Sequence, residues 1–589
     1  MAHQSEIENP LSVESHVLGG IDELERVGSE AGDVFLISLP FSPDSVLAGT
    51  EEAVRLIRSY CQDLPDSTVA SFLCTPEIAA LLCNALADDL RYQLWIATKL
   101  TSPVTADGIL PMHHAALLVF TKDDIPLKHT YTRIGYSYCP ACDKTTKDYG
   151  GKKHTYHSFG TLMSDVWRDI SVDPHGKLQS IESRLSDLFS LPPYKRFVSL
   201  DLRSIPSKPS VHVAEKPAIT RSDREQSSES RHNSQLLTGD SMEIMRDLPD
   251  SSIDFCFADP PYNLGKTYNS WHDSLEIEEY FHWCDQWLYE MLRVLKPGRT
   301  FAVLNIPLWA ARHFSYLDSI AVFQNWIAWE GLSLPVRKIM PAHYSIVCFS
   351  KGRPRTLPGL DGSKSAREAA ALNSAAEFFC SRASCRKARL GVHNDYAATT
   401  DLWWDIFRLK HNSRRVDHPC QLPPLLMERL ISLYTYAGEH VLDPFNGVGT
   451  TTLSAEQLGR SFTGIEIDPK YRQIALDRHE ELRSGIDPFR KRSTTPKAKN
   501  SRVKRLKKQK YAVTKKALQL EVKRIANILG RLPTKDEIRE QAKYSYHFYE
   551  DYFIDWGEAY AAARTTGMSE TRGSTATHPP EHQQLSLLD

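Results

Sequence analysis

Residues 254–268 read DFCFADPPYNLGKTY, an apolar run that stops at Asp259-Pro260-Pro261-Tyr262. In an open parallel sheet, ligands sit beyond the carboxyl ends of the strands. A buried strand over Ile253–Ala258 would therefore deliver these four residues to a site. The prolines fix the backbone and remove two N–H donors. What faces the site is then a carboxylate, carbonyl oxygens and an aromatic face. That set suits a planar substrate carrying an exocyclic amine, whose two N–H bonds go to the acceptors while Tyr262 stacks on the ring. Such an amine is a weak nucleophile, because its lone pair is delocalised. Hydrogen bonds to Asp259 and the Pro260 carbonyl would favour a pyramidal nitrogen able to attack an electrophile. The same tetrapeptide equally suits a plain strand followed by a turn, and by itself it leaves both readings open.

A second segment carries its own chemistry. HVLDPFNGVGTTTLSAEQLGRSFTGIEID (440–468) reads as strand, glycine turn, helix, strand. His440–Leu442 is apolar and β-leaning, Gly447 and Gly449 permit a tight turn with close backbone approach, and Thr450–Leu458 is helical. The next strand, Phe462–Ile465, ends at Glu466. A glycine turn at a helix N-terminus, with an acid some way beyond it, has the layout of a nucleotide site in which the acid meets ribose hydroxyls. The pattern is GVG rather than GxGxxG, and no GK[ST] follows, so neither a dinucleotide fingerprint nor a P-loop fits.

Joined with LLTGDSMEIMRDLPDSSIDFCFADPPYN (236–263) and HPCQLPPLLMERLI (418–431), these segments resemble the motifs of the S-adenosylmethionine-dependent DNA amino-methyltransferases of the permuted, β-type order. The resemblance covers about 234–480 and implies a Rossmann-like α/β methyltransferase domain. It implies that Asp443, Phe445, Gly447 and Gly449 form the cofactor loop. Glu466 would hold the cofactor ribose, Asp240 would contact its adenine, and His418-Pro419 would cover its methionine end. Asp259, Pro260, Pro261 and Tyr262 would hold a base flipped out of double-stranded DNA. The reaction would be a direct in-line transfer of methyl from the sulfonium to the amino nitrogen, driven by positioning. Asp at the first motif position leans towards adenine N6 and Ser towards cytosine N4, so N6-adenine is expected. The alternatives are cytosine N4, or a DNA-binding protein whose methylase fold no longer turns over. A cognate restriction endonuclease is the expected partner where the chain serves a restriction–modification system. Pro419-Cys420-Gln421 imitates the nucleophile motif of cytosine-C5 enzymes, but it precedes the glycine loop and no ENV follows, so Cys420 reads as a filler. A second PPY, in SLPPYKRF (190–197), has Leu191 in place of the acid and no glycine loop to go with it.

The elements that must position these residues sit inside a larger plan. The chain has 589 residues, 41% hydrophobic and 24% charged, enough for about three domains. Residues 201–233 and 487–513 read as linkers, the second strongly basic. The linkers leave blocks at 1–200, 234–486 and 514–567, followed by a polar tail at 568–589. The first two blocks share a pattern. DVFLISLPF (33–41) matches IDFCFADPPY (253–262), ILPMHHAALLVFTK (109–122) matches IMPAHYSIVCFSK (339–351), and DVWRDI (165–170) matches DLWWDI (401–406). The N-terminal block therefore reads as a diverged copy, silent because Ser38-Leu39 replaces Asp259-Pro260 and no DPFNGVG equivalent exists. Such a built-in copy would replace a partner subunit, leaving a monomeric pseudo-dimer that lends DNA surface to a short recognition stretch at about 353–400. Cys139 and Cys142, with Cys380 and Cys385 at the equivalent place, are candidate ligands of a structural zinc. His154 and His157 are alternative partners for the first pair. LEVKRIANILGRLPTKDEIREQAKYSYHFYEDYFIDWGEAYAAAR (520–564) resembles the helical repeat attached to homing endonucleases, without their catalytic motif. With the basic arm, it would add phosphate contacts. No secretory signal or membrane span is visible, and the eleven scattered cysteines suit reduced thiols, so a cytoplasmic protein is expected.

Overall fold

The computed structural model describes residues 11–41, 51–104, 109–123, 127–204, 234–264, 274–331, 339–360, 400–491 and 513–564, apart from 131, 137, 140–143, 146–159, 405, 407, 410–413, 417, 419 and 554–555. Two mixed sheets, one of seven and one of eight strands, dominate residues 9–130 and 164–509.

The first sheet comprises β1 (Val13–Val17), β2 (Asp33–Ser38), β3 (Val69–Cys74), β4 (Arg91–Val104), β5 (Met112–Thr121), β6 (Val166–Val172) and β7 (Arg196–Asp201), in the order β1-β7-β2-β3-β5-β4-β6. The second comprises β8 (Gln235–Thr238), β9 (Ile253–Ala258), β10 (Leu295–Asn305), β11 (Val322–Glu330), β12 (His343–Ser350), β13 (Leu402–Trp403), β14 (His440–Asp443) and β15 (Ser461–Glu466), in the order β8-β15-β14-β9-β10-β12-β11-β13. Strand for strand, β1–β7 occupy the places of β8–β14 with the same senses. β5 and β12 each run antiparallel to both of their neighbours. The difference is β15, inserted between β8 and β14, where β1 lies directly against β7. The three matched sequence pairs fall on corresponding strands: β2 with β9, β5 with β12, and β6 with β13. Strand β7 extends one residue into the predicted linker, to Asp201.

All six residues of β9 are buried, as a central parallel strand covered on both faces requires. Its pleat sorts them. Cys256 and Ala258 join a core with Trp287 of α5 (Ile277–Val294) and Phe314 of α6 (Pro307–Ile320). Phe255 and Phe257 join a second core with Leu430 of α7 (Pro424–Tyr434) and Ala455 of α8 (Thr450–Gln457). The first of these cores is continuous with the N-terminal sheet, taking in Phe35, Ile37 and Leu82 of a helix at Pro76–Ala85.

The C-terminal unit has its own small core. Leu518, Val522 and Ile525, at helical spacing on a helix over Lys515–Leu529, pack with Ile538, Tyr549 and Phe553. Thr534 and Glu537 form a capping box at the start of the next helix, Lys535–Gln541. Among the described residues no helix is long and apolar enough to cross a membrane.

Candidate functional site

Strands β9 and β14 are parallel neighbours, with Phe255 opposite Val441 and Cys256 opposite Leu442. Their carboxyl ends therefore open at the same sheet edge. That delivers Asp259 and Asp443 to one place.

The Asp259–Tyr262 loop is held from several sides. The Tyr262 hydroxyl donates to Asp259 Oδ1 at 2.8 Å. Tyr280 of α5 donates its hydroxyl to the Pro261 carbonyl at 2.8 Å, and Trp309 of α6 donates Nε1–H to the Tyr262 carbonyl at 2.9 Å. Among the described residues no such tie is made to the Pro260 carbonyl. Tyr262 is buried, and burial with the adjacent Asp259 charge pushes its phenol well above the usual range. It stays a neutral donor.

Beyond β14 the chain turns through two left-handed glycines, Gly447 (φ +52°) and Gly449 (φ +83°), the latter capping α8. A Cβ at Gly447 would stand 3.2 Å from the His418 ring, and one at Gly449 would stand 2.9 Å from Ala475 Cβ. Both positions thus disfavour side chains by conformation, and both are tight in space, Gly449 the more so. Glu466, at the end of β15, pins this turn. Its Oε2 accepts the Gly447 N–H at 2.7 Å and its Oε1 accepts the Asp468 N–H at 2.9 Å. Asp443 Oδ1 accepts the Phe445 N–H at 2.9 Å.

Two of these acids are held well above the usual carboxylate range. Burial pushes Asp443 up to about 7, helped by the nearby charges of Asp259 and Glu466. Burial likewise lifts Glu466 to about 6, with Asp468 adding repulsion. Three carboxylates so close together, in a low-dielectric recess, favour a cationic ligand.

One cavity, partly open to solvent, is lined by residues of the Asp259–Tyr262 loop, the glycine turn and the end of β15. Asp240, which caps a short helix through Met242 N–H at 2.8 Å, stands on its wall. His418 stands there too, edge-on to Tyr471 at 4.6 Å between ring centres. Every predicted cofactor and base residue that is described lines this cavity, save Gly449, which stands between the wall residues Val448 and Thr450. Pro419 lies outside the described residues. Cys420 also lines the cavity, and its N–H donates to His418 Nδ1 at 3.2 Å. Cys142, Cys380 and Cys385, with His154 and His157, lie outside the described residues. So does most of the recognition stretch, and of Cys139 only its strand backbone is described.

The structure adds wall residues that the sequence reading did not single out: Trp329, Tyr344 and Arg408. Trp329 is the last residue but one of β11, and Tyr344 is the second of β12. Because β12 is antiparallel, its beginning lies at the same sheet edge where the parallel strands finish. The Arg408 guanidinium donates to the Tyr344 hydroxyl and lies 4.9 Å from that ring's centre. The matched segment IMPAHYSIVCFSK held the signal for Tyr344, but only the strand's sense shows which end faces the site.

With this geometry in place, comparison with known proteins is informative. A family model described as "DNA methylase" matches residues 253–477, and one described as "Homing endonuclease associated repeat" matches residues 513–563. The Type II methyltransferase M.BamHI of Bacillus amyloliquefaciens is 33% identical over 245 residues, which are 39% of this chain and 54% of that protein. The present chain thus spans about half of that relative's length. The Type II methyltransferase M.BglII of Bacillus subtilis is 32% identical over 261 residues, 42% of this chain and 68% of that protein. The DNA adenine methyltransferase YhdJ of Escherichia coli K12 is 27% identical over 250 residues, 41% of this chain and 81% of that protein. The strand-end acid and the glycine turn both fall within the DNA methylase match, and the chain belongs to the DNA methylase family.

Proposed function

We propose that the protein transfers a methyl group from S-adenosylmethionine to the exocyclic N6 of adenine in double-stranded DNA. The observation that carries the reading is that the Asp259–Tyr262 loop and the glycine turn bound a single cavity. The chain's residues fit the cofactor. Gly447 leaves room beside the His418 ring, and the Asp443 and Glu466 carboxylates supply negative charge for a ligand with a positive sulfonium and ammonium. When bound, the cofactor supplies an electrophilic methyl group. Asp259 accepts an N–H of the base amine, with its carboxylate oriented by the Tyr262 hydroxyl, and the Pro260 carbonyl is the second acceptor. The amine is thereby turned so that its lone pair faces the cofactor side of the cavity. Tyr280 and Trp309 keep the loop from relaxing when the base enters.

Adenine is favoured by Asp259 at the first loop position and by the likeness to a named adenine methyltransferase. Cytosine N4 presents the same chemistry to the same acceptors and is the second reading. The likeness to Type II methyltransferases supports a place in a restriction–modification system, with a cognate endonuclease as partner.

The N-terminal sheet serves as a diverged, silent copy. Its support is the shared strand order and senses, the three matched segments, and Ser38-Leu39 at the position of Asp259-Pro260. Among the described residues it lacks a counterpart of β15, the strand that ends in Glu466. The C-terminal helices and the basic arm from Arg490 to Lys516 add sequence-independent phosphate contacts. Nucleoside mass spectrometry of DNA from cells producing the protein tests the assignment. N6-methyladenine is the expected product, N4-methylcytosine would shift the assignment to the second reading, and unmodified DNA would refute both.

A further inference from the structure

The two sheets exchange contacts reciprocally, as the halves of an isologous dimer do. Trp95 of β4 stacks on Trp326 at the same place in β11, 4.8 Å apart and within 11° of parallel. Two aspartates then trade places. Asp401, in the half that owns the cavity, accepts the His113 N–H at the start of β5 (2.6 Å) and meets His114 Nδ1 at 2.9 Å. Asp165, in the other half, accepts the Ala342 and His343 N–H groups at the start of β12, at 2.9 and 3.0 Å. Main-chain bonds repeat the exchange: Asp165 N–H donates to the Met340 carbonyl and Asp401 N–H to the Pro111 carbonyl.

The exchange is symmetric in geometry and asymmetric in consequence. His343 is followed by Tyr344, which lines the same cavity as Tyr262 and holds Arg408. The clamp made by Asp401 grips β5, none of whose residues lines this cavity. We propose that Asp165 is a positioning residue for the base end of the cavity: a carboxylate from the half without a glycine turn fixes the start of β12 and so sets Tyr344 as the wall against which the target base is placed. This rests on the methyl-transfer reading above. The active half, on this view, is incomplete without its twin.

Asp165 Oδ1 serves both N–H groups, so a neutral amide can replace the acid. Burial already lifts this carboxyl to about 7. The test uses the full chain, measuring single-turnover methyl transfer to DNA, S-adenosylmethionine binding by calorimetry, and thermal unfolding. Asp165→Ala is expected to slow transfer about tenfold or more with cofactor affinity within about twofold, and Asp165→Asn to restore it, on the scale of one buried hydrogen-bonding partner lost and regained. Asp401→Ala, an equal lesion of the same interface, is expected to retain transfer. Should Asp165→Ala fail to fold, Asp165→Glu, whose acceptor is displaced by one methylene, is compared with Asp165→Asn and is expected to be the slower. Wild-type transfer in folded Asp165→Ala or in Asp165→Glu, or an equal loss in Asp401→Ala, would overturn the proposal. Absence of transfer by the wild type would instead refute the functional reading itself.

Discussion

Tyr262 and Asp259 divide their work through one hydrogen bond. Asp259→Ala is expected to slow methyl transfer by about 10²–10³-fold, the scale of losing one preorganised polar partner at a reacting centre, with cofactor binding within about threefold. Rapid-quench kinetics and calorimetry read the two separately. Tyr262→Phe keeps an aromatic face and removes the hydroxyl that donates to the carboxylate, so a loss of about tenfold is expected in the same assay. Asp443 and Glu466 give opposite pH trends for stability and for binding. Their folded values, about 7 and about 6, lie above the ordinary carboxylate range, so the folded apo-protein binds more protons than the unfolded chain between roughly pH 4 and pH 7. Stability of the apo-protein should therefore fall as pH rises through that window and level off above it. Affinity for a cationic cofactor should rise over the upper part of the same window, as the two acids ionise. Thermal melts and calorimetric titrations between pH 5.5 and 8 check both signs.

At the scale of elements, the glycine turn and the helices behind the loop decide how well the cavity is formed. Gly447→Ala places a methyl group against His418 and forces a left-handed residue, a strain of about 1–2 kcal/mol. Cofactor affinity should drop about tenfold, with base-side kinetics at saturating cofactor largely kept. Much of this level was legible in the sequence. The apolar run before Asp259, the paired glycines and the acid that ends β15 are local signals, and the predicted strand and helix limits around them agree with the structure to within a residue or so. Trp309, Tyr280, Tyr344 and Arg408 were not legible, because what brings them to the loop is helix packing and the antiparallel sense of β12, which no local pattern encodes. A further duty of Glu466 was hidden as well: besides the ribose contact to which spacing pointed, its two oxygens accept the main-chain N–H groups of Gly447, in the turn, and of Asp468.

Across the whole molecule, the shared strand order of the two sheets makes sense of the three repeated segments, which would otherwise be isolated likenesses. The interface between the halves is closely packed, with Trp95, Trp326, Ala97 and Ala328 all buried in it. Trp326→Ala is expected to lower the unfolding free energy by about 3–5 kcal/mol, as for other large buried aromatics, read from urea denaturation. A single unfolding transition for both halves should persist, since one apolar core runs through them.

Among the described residues, only one of the two matched sheets carries the extra strand, β15, which ends in an acid that bonds a glycine turn. A duplex offers a protein two equivalent backbones running in opposite directions, and under the proposed reading a twinned molecule with one working end must choose between them each time it lands. Under the proposed activity a symmetric target would be altered on its two strands in separate visits. Half-modified duplexes should then build up before fully modified ones, and strand-resolved sequencing of a reaction time course would display them.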